Sequence, residues 1–276
     1  ASLASSTPVT SRFHTGQSNA SSAQALDDDT MIVADDELNA LRVFSRSESG
    51  TALSSFDFSA ALALTDAANP ELDLEGSARR GQRLYWLASH SNNKSGKLRV
   101  NRYRLFATDL SGQGAASTLS FVGAYDHLRS DLIAWDNAGA HGLGAKFLGL
   151  EASAGVGVIP EAADGSGFNI EGLSFAPGSA TAYLGFRAPN EPPAERRAAL
   201  IVPVTNFEAL VTGAATQATF DAPILLDLGG RGIRELKCTD QGCLILAGPA
   251  SAGGNFALYS WSGDRSDPAR SEEHTS

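Results

Sequence analysis

The chain has 276 residues, 42% hydrophobic and 19% charged, which suits a globular protein with a large core. Its formal net charge of −10 excludes general binding of nucleic acid, which needs a basic face. No apolar run approaches the ~20 residues that a membrane-spanning helix needs, so no membrane partner is expected.

Glycine is abundant (28) and methionine scarce (1), and short apolar runs alternate with Gly, Asp, Asn and Ser. That pattern predicts an all-β fold. Residues 1–18 are rich in Ser, Thr and Ala and read as a disordered or truncated lead-in. Residues 270–276, Arg-Ser-Glu-Glu-His-Thr-Ser, resemble a translated sequencing-library adapter and are set aside as a non-native tail. The remainder, 19–269, reads as one domain.

The first unit opens with strands over 19–26 and 30–36 around an Asp-Asp-Asp turn, then a third strand at 40–44 and a weaker one around 52–58. The second begins at Asp73 with strands over 73–78 and 84–90; a third contains 98–106 and a fourth lies near 118–125. An insertion covers about 125–167. Asp126 caps a short helix with Leu128, Leu132 and Trp135 on one face, and some strand is expected around 147–150. The third unit is a hairpin, 168–175 and 181–189, followed by 198–204, a helical turn near 207–210, and 223–228. The fourth comprises 232–238, 243–248 and 256–261, with no fourth strand.

The first strands begin at Asn19, Asp73, Asn169 and Gly232, spacings of 54, 96 and 63. Four strands per 50–60 residues with one long insertion predict a β-propeller, here a partial, open ring of about four visible blades. In such a ring the leading strands line the axis. Ser21, Glu75, Glu171 and Arg234 then form one ring of side chains, and Asp36, His90 and Arg187 its neighbour, with Asp35 and Glu37 close by. A polar funnel on a symmetric scaffold is the place to look for a binding site.

Two uses of that funnel follow. In the first, Asp36, Glu75 and Glu171 hold a hard cation such as Ca²⁺, which takes six to eight oxygen ligands. The cation polarises a phosphate or carboxylic ester. Glu75, Glu171 and His90 then carry acid–base chemistry, and Arg187, Arg234 and Ser89 bind a small anionic substrate. In the second, the propeller is not an enzyme and binds a ligand or protein partner at the same mouth. A plainer alternative is that Glu171 only ties inner strands together by pairing with Arg187 or Arg234. Such cross-strand pairs contribute roughly 0.2–1 kcal/mol.

Two further features stand apart. Lys94, Lys97, Arg99, Arg102 and Arg104 form a basic run, either an anion site or the solvated face of a strand. Cys238 and Cys243 flank a turn and either form a disulfide, which implies a periplasmic or secreted setting, or remain two small buried thiols.

Several segments are familiar together: 34–43, Asp73-Leu74-Glu75-Gly76, 85–90, Asn169-Ile170-Glu171-Gly172-Leu173, Gly185-Phe186-Arg187-Ala188-Pro189 and Leu246-Ala247-Gly248-Pro249. They resemble an uncharacterised bacterial family of propeller-like domains of unknown function, over most of residues 19–262. That resemblance implies a fold and no activity. The Asp-x-Glu-Gly start is also similar, more loosely, to esterase-like phytase propellers, which implies metal-assisted ester hydrolysis.

Overall fold

Alternation of apolar residues builds strands that are buried on both faces. In Leu84-Tyr85-Trp86-Leu87, Leu84 and Trp86 enter one core while Tyr85 and Leu87 enter the next. A sheet apolar on both faces must lie between two others, and repetition of that arrangement around an axis makes a propeller. The computed structural model describes residues 10–272 and shows four four-stranded antiparallel sheets.

Blade one is β1 (Ala20–Ala25), β2 (Thr30–Asp35), β3 (Ala40–Ser45) and β4 (Ser54–Asp57). Blade two is β5 (Leu74–Arg80), β6 (Arg83–Ala88), β7 (Leu105–Ser111) and β8 (Thr118–Tyr125). The insertion holds α1 (Leu128–Asn137) and α2 (Leu150–Ser153). Blade three is β9 (Asn169–Phe175), β10 (Ala182–Ala188), β11 (Ala199–Val204) and β12 (Ile224–Leu226), with α3 (Phe207–Thr212) before its last strand. Blade four is β13 (Gly232–Thr239), β14 (Gly242–Gly248), β15 (Ala257–Trp261) and β16 (Arg270–Ser271).

Three apolar cores lie between successive blades. Ile32, Leu41 and Val43 meet Leu84, Trp86 and Phe106 between blades one and two. Tyr85, Leu87 and Leu105 meet Leu173, Leu184 and Phe186 between blades two and three, where the helices add Leu128, Leu132, Trp135 and Phe207. Tyr183, Ile201 and Ile224 meet Ile233, Leu236, Ile245 and Tyr259 between blades three and four. Burying each large apolar side chain stabilises the fold by roughly 1.5–3 kcal/mol. Among the described residues no apolar core joins blade four to blade one, and Leu244 and Leu246 on the far face of blade four are 47% and 39% exposed.

Five local expectations change. Blade four has a fourth strand, the two-residue β16, whose Arg270 pairs with Ser260 and Ser271 with Tyr259. These two residues fall in the segment set aside as a tail; residues 273–276 lie outside those described. The strand expected around 147–150 is absent, and Leu150 instead begins α2. The basic run is not a strand face: residues 91–104 form a loop with a single 3₁₀ turn, Val100–Arg102. Asp126 does not cap α1, whose N-cap position is His127 with no side-chain cap. Part of the lead-in is ordered against blade one, where His14 lies against Phe44 with ring centroids 5.1 Å apart and bridges to Gly50; residues 1–9 lie outside those described.

Cys238 and Cys243 are opposed residues of the β13–β14 hairpin and form a disulfide. No helix among the described residues is long and apolar enough to cross a membrane.

Candidate functional site

Every blade carries the same irregularity in its first hairpin. The registers skip one residue of the inner strand: Ser21 in β1, Glu75 in β5, Glu171 in β9 and Arg234 in β13. Each is the extra residue of a β-bulge, which kinks the strand and turns a side chain out of the ladder. These are the four residues that the repeat aligns. The glycine after each bulged glutamate lets the next blade approach: a Cβ on Gly172 would come within 2.9 Å of Ile233 Cγ2, and one on Gly76 within 3.1 Å of the Glu171 carbonyl oxygen. Glu-Gly is thus a two-part device in which the acid turns to the axis and the glycine makes room for the neighbouring strand.

Glu171 is fully paired. Arg187 Nη1 lies 3.0 Å from its Oε1 and Arg234 Nε 2.6 Å from its Oε2, and Asn169 Nδ2 donates to Oε1 at 3.2 Å. Arg187 is 5% exposed and ties four segments together. Besides Glu171 it meets Glu161 of the insertion at 3.1 Å and donates to the Ala250 and Ser251 carbonyls at 3.0 and 2.9 Å. Its hydrogen-bonding capacity is largely spent within the protein. Arg234 is more open, with a 22% exposed side chain, and its guanidinium sits 5.1 Å over the Phe256 ring.

The neighbouring acids are not neutralised in this way. Asp36, Asp73 and Glu75 each place a carboxylate oxygen within 4.8 Å of the other two, and all three are half-buried. Arg102 touches the edge of the group, 2.8 Å from Asp73 Oδ2 and 2.6 Å from Glu71 Oε1. Asp73 Oδ2 also accepts from the hydroxyls of Ser89 and Ser91. Asp36 receives only the Asn19 amide, on Oδ2 at 3.2 Å, and its Oδ1 is buried without a hydrogen-bond partner. Glu75 makes no ion pair among the described residues.

The electrostatics follow. Burial, reinforced by Asp73, Asp35 and Glu37, lifts the Asp36 carboxyl to about 6. Burial, then Glu171, Asp73 and Asp36, hold Glu75 well above the ordinary carboxylate range despite Arg187 nearby. Asp35 plays a different part: its oxygens accept from the backbone amides of Ser18, Asn19, Glu37 and Leu38, so it shapes the loop.

The remaining expected residues divide. Ser89 is fully buried and spends its hydroxyl on Asp73 and Ser91. His90 is also fully buried, and its Nδ1 lies 2.7 Å from the Ala88 carbonyl. Burial lowers its pKa to about 4. The structure therefore brings Asp36 and Glu75 together with Asp73, couples Glu171 to the two arginines, and sets His90 into the protein beside Tyr103.

A family model described as "Protein of unknown function (DUF3616)" matches residues 19–104 and 157–276. The chain belongs to this family. The unmatched stretch, 105–156, covers the outer strands of blade two and both insertion helices, whereas every residue of the acidic group lies inside the match. No curated protein matches the chain. Among solved structures, a subtype N11 neuraminidase-like protein of A/flat-faced bat/Peru/033/2010 (H18N11) is similar at 12% identity and a TM-score of 0.38. That comparison covers 90% of this chain, which spans 62% of the other's length.

Asp73 is the acid that sequence reasoning left out. Its signal was present, since it is the first residue of the Asp-x-Glu-Gly motif. It stands just before β5 with a φ of +58°, a left-handed conformation uncommon outside glycine. That turn carries its carboxylate towards Asp36 and Glu75.

Proposed function

We propose that the protein binds a hard divalent cation, Ca²⁺ in the first instance, at Asp36, Asp73 and Glu75, and through it an anionic ligand at the mouth of the propeller. One observation carries the reading: three half-buried carboxylates converge within 4.8 Å, and neither Asp36 nor Glu75 has a basic partner among the described residues. Oxygen donors in that number suit Ca²⁺ or Mg²⁺, and the unpartnered Asp36 Oδ1 is a ligand atom in want of a cation. Glu171 belongs to the wall of the site, because its two arginines already compensate its charge. Arg234 is the better placed of those arginines to meet a ligand.

Hydrolysis of a phosphate or carboxylic ester is the catalytic form of the same reading. In that form the cation would polarise the ester while Glu75 serves as one of its ionised ligands. The looser likeness of Asp-x-Glu-Gly to phytase propellers points the same way. His90 stands apart from the three carboxylates, beside Tyr103, and has no role in this reading.

Titration calorimetry with Ca²⁺ and Mg²⁺ tests the reading. Wild type is expected to bind one of them at a single site, and Asp73→Asn and Glu75→Gln to lose at least tenfold in affinity. Equal binding in the variants would remove the carboxylates from the site. A panel of phosphate and carboxylic esters, with the cation and with chelator, then separates hydrolysis from binding alone.

A further inference from the structure

We propose a second site, outside the acidic mouth, in which Arg104, Arg129, Tyr103 and His90 bind an oxyanion that carries its own O–H, hydrogen phosphate being the simplest. It uses the basic run that the cation reading leaves aside.

The first support is charge. Of the two buried arginines, Arg187 faces carboxylates and Arg104 has none within ion-pair distance among the described residues; the half-buried Arg129, like Arg42, Arg79, Arg196 and Arg231, has none either, whereas Arg83, Arg102 and Arg234 do. Arg104 is 8% exposed, and its Nη1 reaches only the Val100 and Tyr103 carbonyls. Arg129 on α1 donates from Nη2 to the Ala154 carbonyl and Asn92 Oδ1, while its Nε is buried with no partner. Both arginines lie near enough to His90 to oppose its protonation. Two guanidinium groups without a carboxylate partner, both near His90, leave positive charge that an anion would compensate.

The second support is unmet hydrogen bonding. The Arg129 guanidinium carbon lies 4.4 Å over the Tyr103 ring, and that ring is nearly parallel to His90 at a centroid distance of 6.5 Å. Tyr103 Oη and His90 Nε2 are both buried and unpartnered. Buried polar atoms are nearly always satisfied by protein, water or ligand, so the three unpartnered atoms carried by this stack are open to a polar partner. His90 also sits at a φ of +56°, a strained backbone of the kind that gathers at functional positions.

The tautomer of His90 selects the ligand. The Ala88 carbonyl only accepts, so the proton sits on Nδ1 and Nε2 presents a bare lone pair. A partner must therefore accept from Arg129 and donate to His90, while the Tyr103 hydroxyl can take either role. Hydrogen phosphate does both; sulfate has no proton to give.

The test is calorimetry of the full chain with inorganic phosphate and with sulfate, at neutral pH and matched ionic strength. Phosphate is expected to bind at one site, and sulfate at least tenfold more weakly, the scale of one lost hydrogen bond to a charged group. Arg129→Gln is expected to lose at least tenfold, and Tyr103→Phe about threefold to tenfold. With chelator present, so that no cation can hold phosphate at the acidic mouth, Glu75→Gln should leave phosphate affinity unchanged. If Arg129→Gln does not fold, Tyr103→Phe decides, because it removes only a hydroxyl without a partner. No phosphate binding by wild type, equal binding of sulfate, or unchanged affinity in Tyr103→Phe overturns the assignment.

Discussion

Glu75 and Glu171 occupy the same place in adjoining blades, each the bulged residue of a first hairpin and each followed by glycine. Their surroundings are opposite. Glu171 has a guanidinium on each oxygen, whereas Glu75 faces Asp36, Asp73 and Glu171. A repeat fixes where a side chain points, but not what stands across the axis from it. Blade four supplies Arg234 to its neighbour; blade one supplies Ser21 and Asp36. One half of the mouth is therefore a closed ion-pair network and the other an open acidic group.

That contrast is broken most severely from the closed side. Arg187→Met removes the tie among Glu171, Glu161 and the two loop carbonyls and leaves a buried carboxylate short of charge. Urea unfolding is expected to show a loss of about 3–5 kcal/mol. Arg234→Gln leaves Arg187 in place and should cost less, about 1.5–3 kcal/mol by the same measurement.

The open side should respond to pH instead. A carboxyl whose folded pKa is raised contributes stability that is complete below its unfolded pKa and is lost as pH rises through the folded one. For Asp36, raised to about 6, stability is expected to fall between about pH 4 and pH 6, and Glu75 extends the fall to higher pH. Solvent screening of the half-exposed Asp36 limits its share to the order of 1 kcal/mol. Saturating Ca²⁺, or the pair Asp36→Asn and Glu75→Gln, should flatten the profile; a slope that survives both would separate it from this group.

An exposed ion pair sets the lower end of the scale. Lys146 meets Glu151 at 3.0 Å with side chains 63% and 56% exposed. Lys146→Ala is expected to change stability by no more than about 0.5 kcal/mol. A larger change would mean that exposure does not separate the Glu171 network from ordinary surface pairs.

Much of this architecture is written in short-range patterns. Double-faced apolar strands such as 84–87, the recurring hairpin and the Glu-Gly pairs determined the strands, the propeller and the inner-ring positions Glu75, Glu171 and Arg234, because these depend on alternation and on turns within a few residues. The opposed Cys238 and Cys243 were likewise legible from a single turn. Tertiary structure alone decided the partners. Arg187 and Arg234 converge on Glu171 from 16 and 63 residues away, and Asp73 enters the acidic group through a left-handed backbone that composition does not show. The burial of His90 and the loop form of the basic run depend on how the insertion packs against blades two and three. Local geometry set the directions in which these side chains leave the chain; only the closing of blades upon one another set which charges met, because electrostatic energy depends on separation in space and desolvation, not on distance along the sequence.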